Sequence, residues 1–273
     1  MGRKLHWKAA SGQLSAIIRH MNQLPSTIVL VIAFLSPLVR ADEVRVLAAG
    51  AAKHAVETLA PAFQQATGHT VSASYDTVGA LRDRVLQGQP GEVADMVILS
   101  DAALATLRAA SQLDRAPAQS IGRVVVALAV KHGEALPALS SVDELRQTLL
   151  AATGIAYGDP ARGATAGTHF ASVLSTLGMR DALQAKITVL PFGVDVVTGV
   201  AEGRYALGVS QSSEILQQQG VRYAGPLPAP YGLSTGYGAA LASGSKAAKQ
   251  LLEFLAGPQA TLEFQRNGFL AAP

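Results

Sequence analysis

The sequence predicts an α/β protein made of two lobes, each a mostly parallel sheet flanked by helices, with a ligand cleft between them. Three observations carry this expectation. Short apolar runs alternate with helix-spaced segments from residue 43 to the end of the chain. No repeat, low-complexity tract or Ser/Gly-rich linker interrupts them, which fits two lobes joined by short crossings. Four strand-to-helix turns carry glycine or hydroxyl residues, and in such sheets ligands sit beyond the carboxyl ends of strands.

The elements follow in order. EVRVLAAG (43–50) is a short apolar strand. Ala55, Val56, Leu59, Ala60 and Phe63 then recur at the spacing of one helix face over Lys53 to Thr67, and Gly68 stops that helix as a C′ residue. The 70s form the next strand, and Ala80 to Gln87 a helix ended by Gly88 and Pro90. ADMVILS (94–100) is continuously apolar from Met96 to Leu99, as a strand buried on both faces would be. Asp101 is expected to cap a helix from Ala102 to Ala110. Strand 122–130 precedes a capping box, Ser141-Val-Asp-Glu144, and a helix from Asp143 to Leu150. Strand 154–159, helix 166–177 with Gly178, strand 187–190, helix 194–202 with Gly203 and strand 205–210 continue the alternation. A helix from Lys246 to Leu255, a Gly257-Pro258 break and a last helix through Arg266 end it. Crossings near Gly122-Arg123 and Gly225-Pro226 would place 42–121 with 230–273 in one lobe and 123–228 in the other.

Composition narrows the function. The chain has 273 residues and a formal charge of +3. Five of its 22 Lys and Arg (Arg3, Lys4, Lys8, Arg19, Arg40) lie in the first 41 residues, which hold no acid. The rest carries 17 basic against 19 acidic residues, a net −2, so a nucleic-acid partner has no electrostatic basis. The apolar run Ile28 to Leu35 has the length of a signal-peptide core and is short for a membrane span. Val39-Arg40-Ala41 offers small residues for a cut after Ala41, so residues 1–41 are expected to be a cleaved signal peptide and the product periplasmic. Both Met1 and Met21 could start the chain, and from Met21 the leader is compact. There is no cysteine, so packing alone must hold the fold.

The four turns are Gly50-Ala51-Ala52, Thr77-Val78-Gly79, Gly158 through Gly167, and Phe192-Gly193-Val194. Helix starts leave N–H groups unpaired and carry a positive dipole end, which suits an anion. Backbone N–H groups at Gly50, Ala51, Val78 and Gly79 and the Thr77 hydroxyl are candidates from one lobe. Arg162, Thr165, Ala166, Gly193 and Gln211 are candidates from the other. Asp76 must turn away if Thr77 faces an anion. The histidines His54, His69, His132 and His169 show no metal-ligand spacing, and no metal or cofactor is expected. GVSQS (208–212) lacks the last glycine of a nucleophile elbow, and no histidine follows it, so an enzyme is not expected.

Several segments together resemble the periplasmic molybdate-binding proteins of ABC importers, within the two-lobed (type II) solute-binding class. They are VLAAGAAKHAVETLAPAFQQATGHTVSASYDTVGALRDRVLQG, EVADMVILSD, GDPARGATAGTHFASVLSTLG, GVAEGRYALGVSQSSEI and LLEFLAGPQATLEFQRNGF. The resemblance implies a monomer that closes like a hinge on a small anion and delivers it to a membrane permease and its ATPase. It implies molybdate or tungstate as ligand. The ligand loops depart from that pattern. Ala49-Gly50-Ala51 offers no hydroxyl, Val78 stands where a serine is expected, and Gln211 follows the strand where relatives often have tyrosine. Each missing hydrogen bond to a desolvated oxyanion costs about 1–3 kcal/mol. The departures leave a small carboxylate or another organic anion as the alternative to a molybdate-like oxyanion, and the planar fork of Arg162 suits a carboxylate. Docking to a sensor instead of a permease is equally compatible with the sequence.

Overall fold

The computed structural model describes residues 41–88 and 94–271. The expected signal peptide lies outside the described residues. Nine strands and their helices follow one another as β1 (Glu43–Ala49), α1 (Lys53–Thr67), β2 (Thr70–Asp76), α2 (Val78–Gln87), β3 (Met96–Ser100), α3 (Asp101–Ala109), β4 (Gln119–Lys131), α4 (Val142–Ala151), β5 (Ile155–Gly158), α5 (Thr165–Thr176) and α6 (Arg180–Leu183). They continue as β6 (Ile187–Leu190), α7 (Gly193–Ala201), β7 (Leu207–Gln211), α8 (Ser212–Gln217), β8 (Val221–Pro226), β9 (Ser234–Leu241), α9 (Lys246–Leu255) and α10 (Pro258–Arg266). Turns of 3-10 helix fill Gly50–Ala52 and Pro160–Arg162.

Strand order is β2-β1-β3-β9-β4-β7-β5-β6, with β8 also on β4. The expected parallel pairing holds for β1 with β2 and β3, and for β5 with β6 and β7. At the centre β9 and β4 run antiparallel to their neighbours. One long strand links the two lobes: β4 pairs with β9 over Gln119–Val125 and with β7 over Val126–Ala129. Its early bulge falls at Gly122, whose φ of 116° favours glycine.

Each lobe has its own core. Val46, Met96, Ile98 and Ala240 pack with Phe63, Leu59 and Leu251 in one. Leu128, Ile155 and Val209 pack with Leu145, Phe170 and Leu183 in the other. Full burial of each large apolar side chain contributes about 1.5–3 kcal/mol. β3 is buried along its whole length, as its unbroken apolar run predicts.

Local signals hold at most helix ends, with corrections at two starts. Gly68 and Gly88 adopt left-handed conformations after α1 and α2. Ser141 accepts from the Glu144 N–H at 3.2 Å, one half of the expected capping box, while the Glu144 carboxylate accepts from the Ser140 N–H at 2.7 Å instead of from that of Ser141. The cap of α3 is Ser100, which accepts from the Ala103 N–H at 3.4 Å, and Asp101 is the first helical residue. The hydroxyl one position earlier already has the extended backbone a cap requires, and Asp101 there still favours the dipole. Likewise α2 starts at Val78, because Thr77 caps it through the Ala80 N–H.

Candidate functional site

A cleft of about 390 Å³ opens between the lobes, beyond the carboxyl ends of β1, β2, β5 and β7. Eight of the expected residues line it: Gly50, Ala51, Thr77, Val78, Thr165, Ala166, Gly193 and Gln211. Four helices of more than two turns start at its wall, α1, α2, α5 and α7, so unpaired N–H groups and dipole ends converge there. Nothing among the described residues groups acids and histidines as a metal site.

Gly79 and Arg162 are placed otherwise than as ligand contacts. The Arg162 guanidinium donates to both oxygens of Asp76, at 2.9 and 3.1 Å, and lies 4.9 Å from the Phe192 ring centroid. Asp76, itself part of the cleft wall, is thereby paired with an arginine of the opposite lobe, and its Oδ1 also accepts the Thr77 N–H at 2.7 Å. A bidentate pair is the arrangement a guanidinium makes with any carboxylate within reach, and the protein supplies one itself. Next to it the Thr77 hydroxyl donates to the Arg162 carbonyl oxygen. The Gly79 N–H donates to the Gly163 carbonyl at 3.2 Å. The two glycines touch backbone to backbone: a Cβ at Gly79 would lie 2.6 Å from the Gly163 Cα. Asp76, Thr77 and Gly79 on one side and Arg162 and Gly163 on the other therefore clasp the lobes at one edge of the cleft.

Thr165 does not cap α5. It is the first residue of that helix, and Ala164 precedes it with no side-chain cap. Its side chain instead flanks the Tyr237 hydroxyl together with Gln211. The close approach of α5 to β5 depends on Gly167, where a Cβ would lie 1.7 Å from the Gly158 carbonyl oxygen.

The floor holds groups that sequence reasoning missed. Glu214 on α8 sends its carboxyl between the starts of two longer helices. A Cβ at Gly193 would lie 2.2 Å from Oε2, and one at Gly50 would lie 3.1 Å from Oε1. The Ser210 hydroxyl and the Gln211 N–H, at 3.4 Å, donate to Oε2. Burial, aided by the charge of Asp195, pushes the Glu214 carboxyl above the usual glutamate range, although these hydrogen bonds pull the other way. Burial likewise raises Tyr237, so its hydroxyl keeps its proton. Gln211 and Ser213 are 4% and 2% exposed; the Gln211 side chain lies against the Tyr237 hydroxyl and the start of α8, and the Ser213 hydroxyl has no protein partner. Buried polar groups are normally paired, so the Ser213 hydroxyl marks a place for a ligand or water. Gln211 and Glu214 stand three apart at the start of α8, a capping-box spacing that could have marked the helix. Tyr237 gives no local signal, since β9 reaches the floor only by pairing with β3 and β4. Lys53, His54 and Glu57 of α1 complete the rim, with the Lys53 ammonium 3.9 Å from Glu57 and 5.6 Å from the Tyr75 ring centroid.

Comparison with known proteins agrees with this architecture. A protein named aconitate isomerase from Pseudomonas sp is 29% identical over 250 residues, covering 87% of this chain and 92% of that protein. The periplasmic molybdate-binding protein of Azotobacter vinelandii superposes with a TM-score of 0.65 at 22% identity, over 84% of this chain and all of that one. The sulfate-binding protein of Mycobacterium tuberculosis gives 0.61 at 18% identity, over 84% of this chain and 86% of that one. At such identities the structures share the fold. The family model for bacterial extracellular solute-binding proteins matches residues 44–270, and the chain belongs to that family.

Proposed function

We propose that this protein captures a small organic polyanion, of tricarboxylate size, by closing its lobes, and presents it to the permease and ATPase of an ABC importer outside the cytoplasm. The cleft is the observation that carries this reading. At about 390 Å³ it has room for on the order of ten water molecules, far more than a tetrahedral oxyanion displaces. Its donors are spread to match. Helix starts face it from both lobes, while Gln211, Ser213 and Tyr237 offer neutral polar groups on the floor. The Ala49-Gly50-Ala51 loop offers no hydroxyl, the Thr77 and Ser210 hydroxyls are engaged by Arg162 and Glu214, and Arg162 is held by Asp76. Closure follows from the ligand's greater affinity for the closed form, to which both lobes donate.

Thermal unfolding against molybdate, tungstate, sulfate and a panel of di- and tricarboxylates tests the reading. A ligand at about 1,000 times its Kd adds about 4 kcal/mol, a rise of roughly 8–16 °C for a domain of this size. Such a rise with tricarboxylates and none with the oxyanions is expected. A rise with molybdate and tungstate alone would overturn it.

A second reading is favoured by the aconitate isomerase likeness and by two titratable groups on the floor, Glu214 and Tyr237. Isomerising an unsaturated tricarboxylate moves one proton: a base removes it from one carbon, the double bond shifts, and an acid returns a proton to another carbon. A single carboxyl that gives and takes the proton suffices for this. Incubation with cis- or trans-aconitate in D2O, followed by proton NMR, separates catalyst from carrier. Appearance of the other isomer with deuterium incorporated marks an enzyme, and an unchanged spectrum of a bound ligand marks a carrier.

A further inference from the structure

We propose that Glu214 meets the ligand as a neutral carboxylic acid and donates a hydrogen bond to one of its carboxylates, so that the cleft holds one proton together with the anion. The proposal rests on the polyanion reading above and assigns the residue that gives it specificity. Its basis is position. The Glu214 carboxyl occupies a slot cleared by two glycines, with Oε1 toward Gly50 and Oε2 toward Gly193. Those glycines open the path to α1 and begin α7, both long helices whose N–H groups face the cleft. The same cleft is lined by the buried Ser213 hydroxyl, which has no protein partner. An ionised glutamate here would compete with the ligand for the same helix starts and repel it. A protonated one supplies the donor that the hydroxyl-free Ala49-Gly50-Ala51 loop does not.

Burial and the like charge of Asp195 of α7 favour the neutral form, against the Ser210 and Gln211 donors, and Tyr237 of β9 stays protonated. The turn Gly50–Ala52 and strand β7 present Gly50, Ser210 and Gln211, which carry no charge. Lys53 of α1 lines the same cleft and is left to balance the ligand's remaining charge, with Glu57 of that helix as a like charge and His54 beside it. A carboxyl–carboxylate hydrogen bond is short and charge-assisted, and it is available only while one partner keeps its proton.

The test uses tricarballylate, a saturated tricarboxylate that cannot isomerise, as the probe. Its Kd is measured by calorimetry from about pH 7 to about pH 9, where the probe's own carboxylates are ionised. The wild-type affinity should fall with rising pH, approaching tenfold per pH unit where the proton is fully coupled. Glu214→Gln keeps a capping-box side chain and a neutral donor, and its affinity should stay flat over that range. In parallel, ¹³C NMR of the glutamate carboxyls in the free protein, assigned by the resonance missing from Glu214→Gln, should show Glu214 titrating well above about 4.3. A wild-type affinity as flat as that of the variant, or a Glu214 carboxyl titrating at or below the ordinary value, would overturn the proposal. If neither protein binds tricarballylate while Glu214 still titrates high, the tricarboxylate reading fails, and this role for Glu214 fails with it.

Discussion

Replacing Gly79 with alanine separates stability of the fold from closure of the cleft. Gly79 lies in the first turn of α2, within ordinary helical backbone. There alanine is favoured over glycine by about 0.5–1 kcal/mol, because it loses less conformational freedom on folding. In the closed protein the new Cβ would lie 2.6 Å from the Gly163 Cα and 3.0 Å from the Arg162 carbonyl oxygen. Both are backbone atoms of the opposite lobe and cannot rotate away. Ordinary carbon contacts of about 3.5–4.0 Å require the lobes to part by roughly 1 Å. That movement lengthens the Gly79–Gly163 hydrogen bond from 3.2 Å and pulls the Thr77 hydroxyl from Arg162. Overpacking of this kind costs about 1–3 kcal/mol, and here it falls on the closed state alone. Closure-dependent affinity should therefore weaken by about 5- to 150-fold. The free protein should melt at the wild-type temperature or a few degrees higher, since it can open. Calorimetric Kd values and melting curves of wild type and Gly79→Ala, without and with tricarboxylate, give both numbers. An unchanged affinity would show that the Gly79–Gly163 contact plays no part in the bound state. A marked fall in the melting temperature of the free protein would show that the contact belongs to the fold itself.

Three further outcomes are expected. Thr77→Ala removes both the cap of α2 and the donor to Arg162, so it should cost about 1 kcal/mol of stability as well as weakening binding; Thr77→Ser should restore both, as read by melting and calorimetry. Gly167→Ala drives a Cβ to 1.7 Å from the Gly158 carbonyl, backbone against backbone, and should cost about 3 kcal/mol or more, a fall of roughly 6–12 °C in Tm or failure to fold. Glu214 has a folded pKa above its unfolded value, so its stabilising contribution is present in acid and is lost as pH rises through the folded pKa. Chemical denaturation of Glu214→Gln and wild type should accordingly show the variant gaining relative stability from pH 4 to pH 8, and a constant difference would contradict the raised value.

Much of the architecture was legible because its signals are local. The spacing of Ala55, Val56, Leu59 and Phe63 marks the buried face of α1, and Gly68 marks its end. The unbroken run Met96 to Ser100 marks a strand covered on both sides. The glycine-bearing turns pointed to the cleft, and eight of the ten candidate residues line it. Strands β8 and β9 and the short helix α8 were not read, because Pro, Gly and Ser around them give turn signals that only strand pairing overrides.

By itself, then, the chain determined the order of strands and helices, where helices start and stop, and which turns present backbone N–H groups. These depend on side chains within a few positions of one another. Tertiary structure alone decided what each polar group in the cleft faces. Arg162 reads as a ligand contact or as a solvated loop charge until Asp76, 86 positions earlier in the chain, is brought within 2.9 Å. Glu214 has no reading from the sequence, and its place shows only where Gly50 and Gly193 close around its carboxyl. Charge and hydrogen-bond partners in a cleft between two lobes come from segments distant in sequence, and no local pattern encodes that distance.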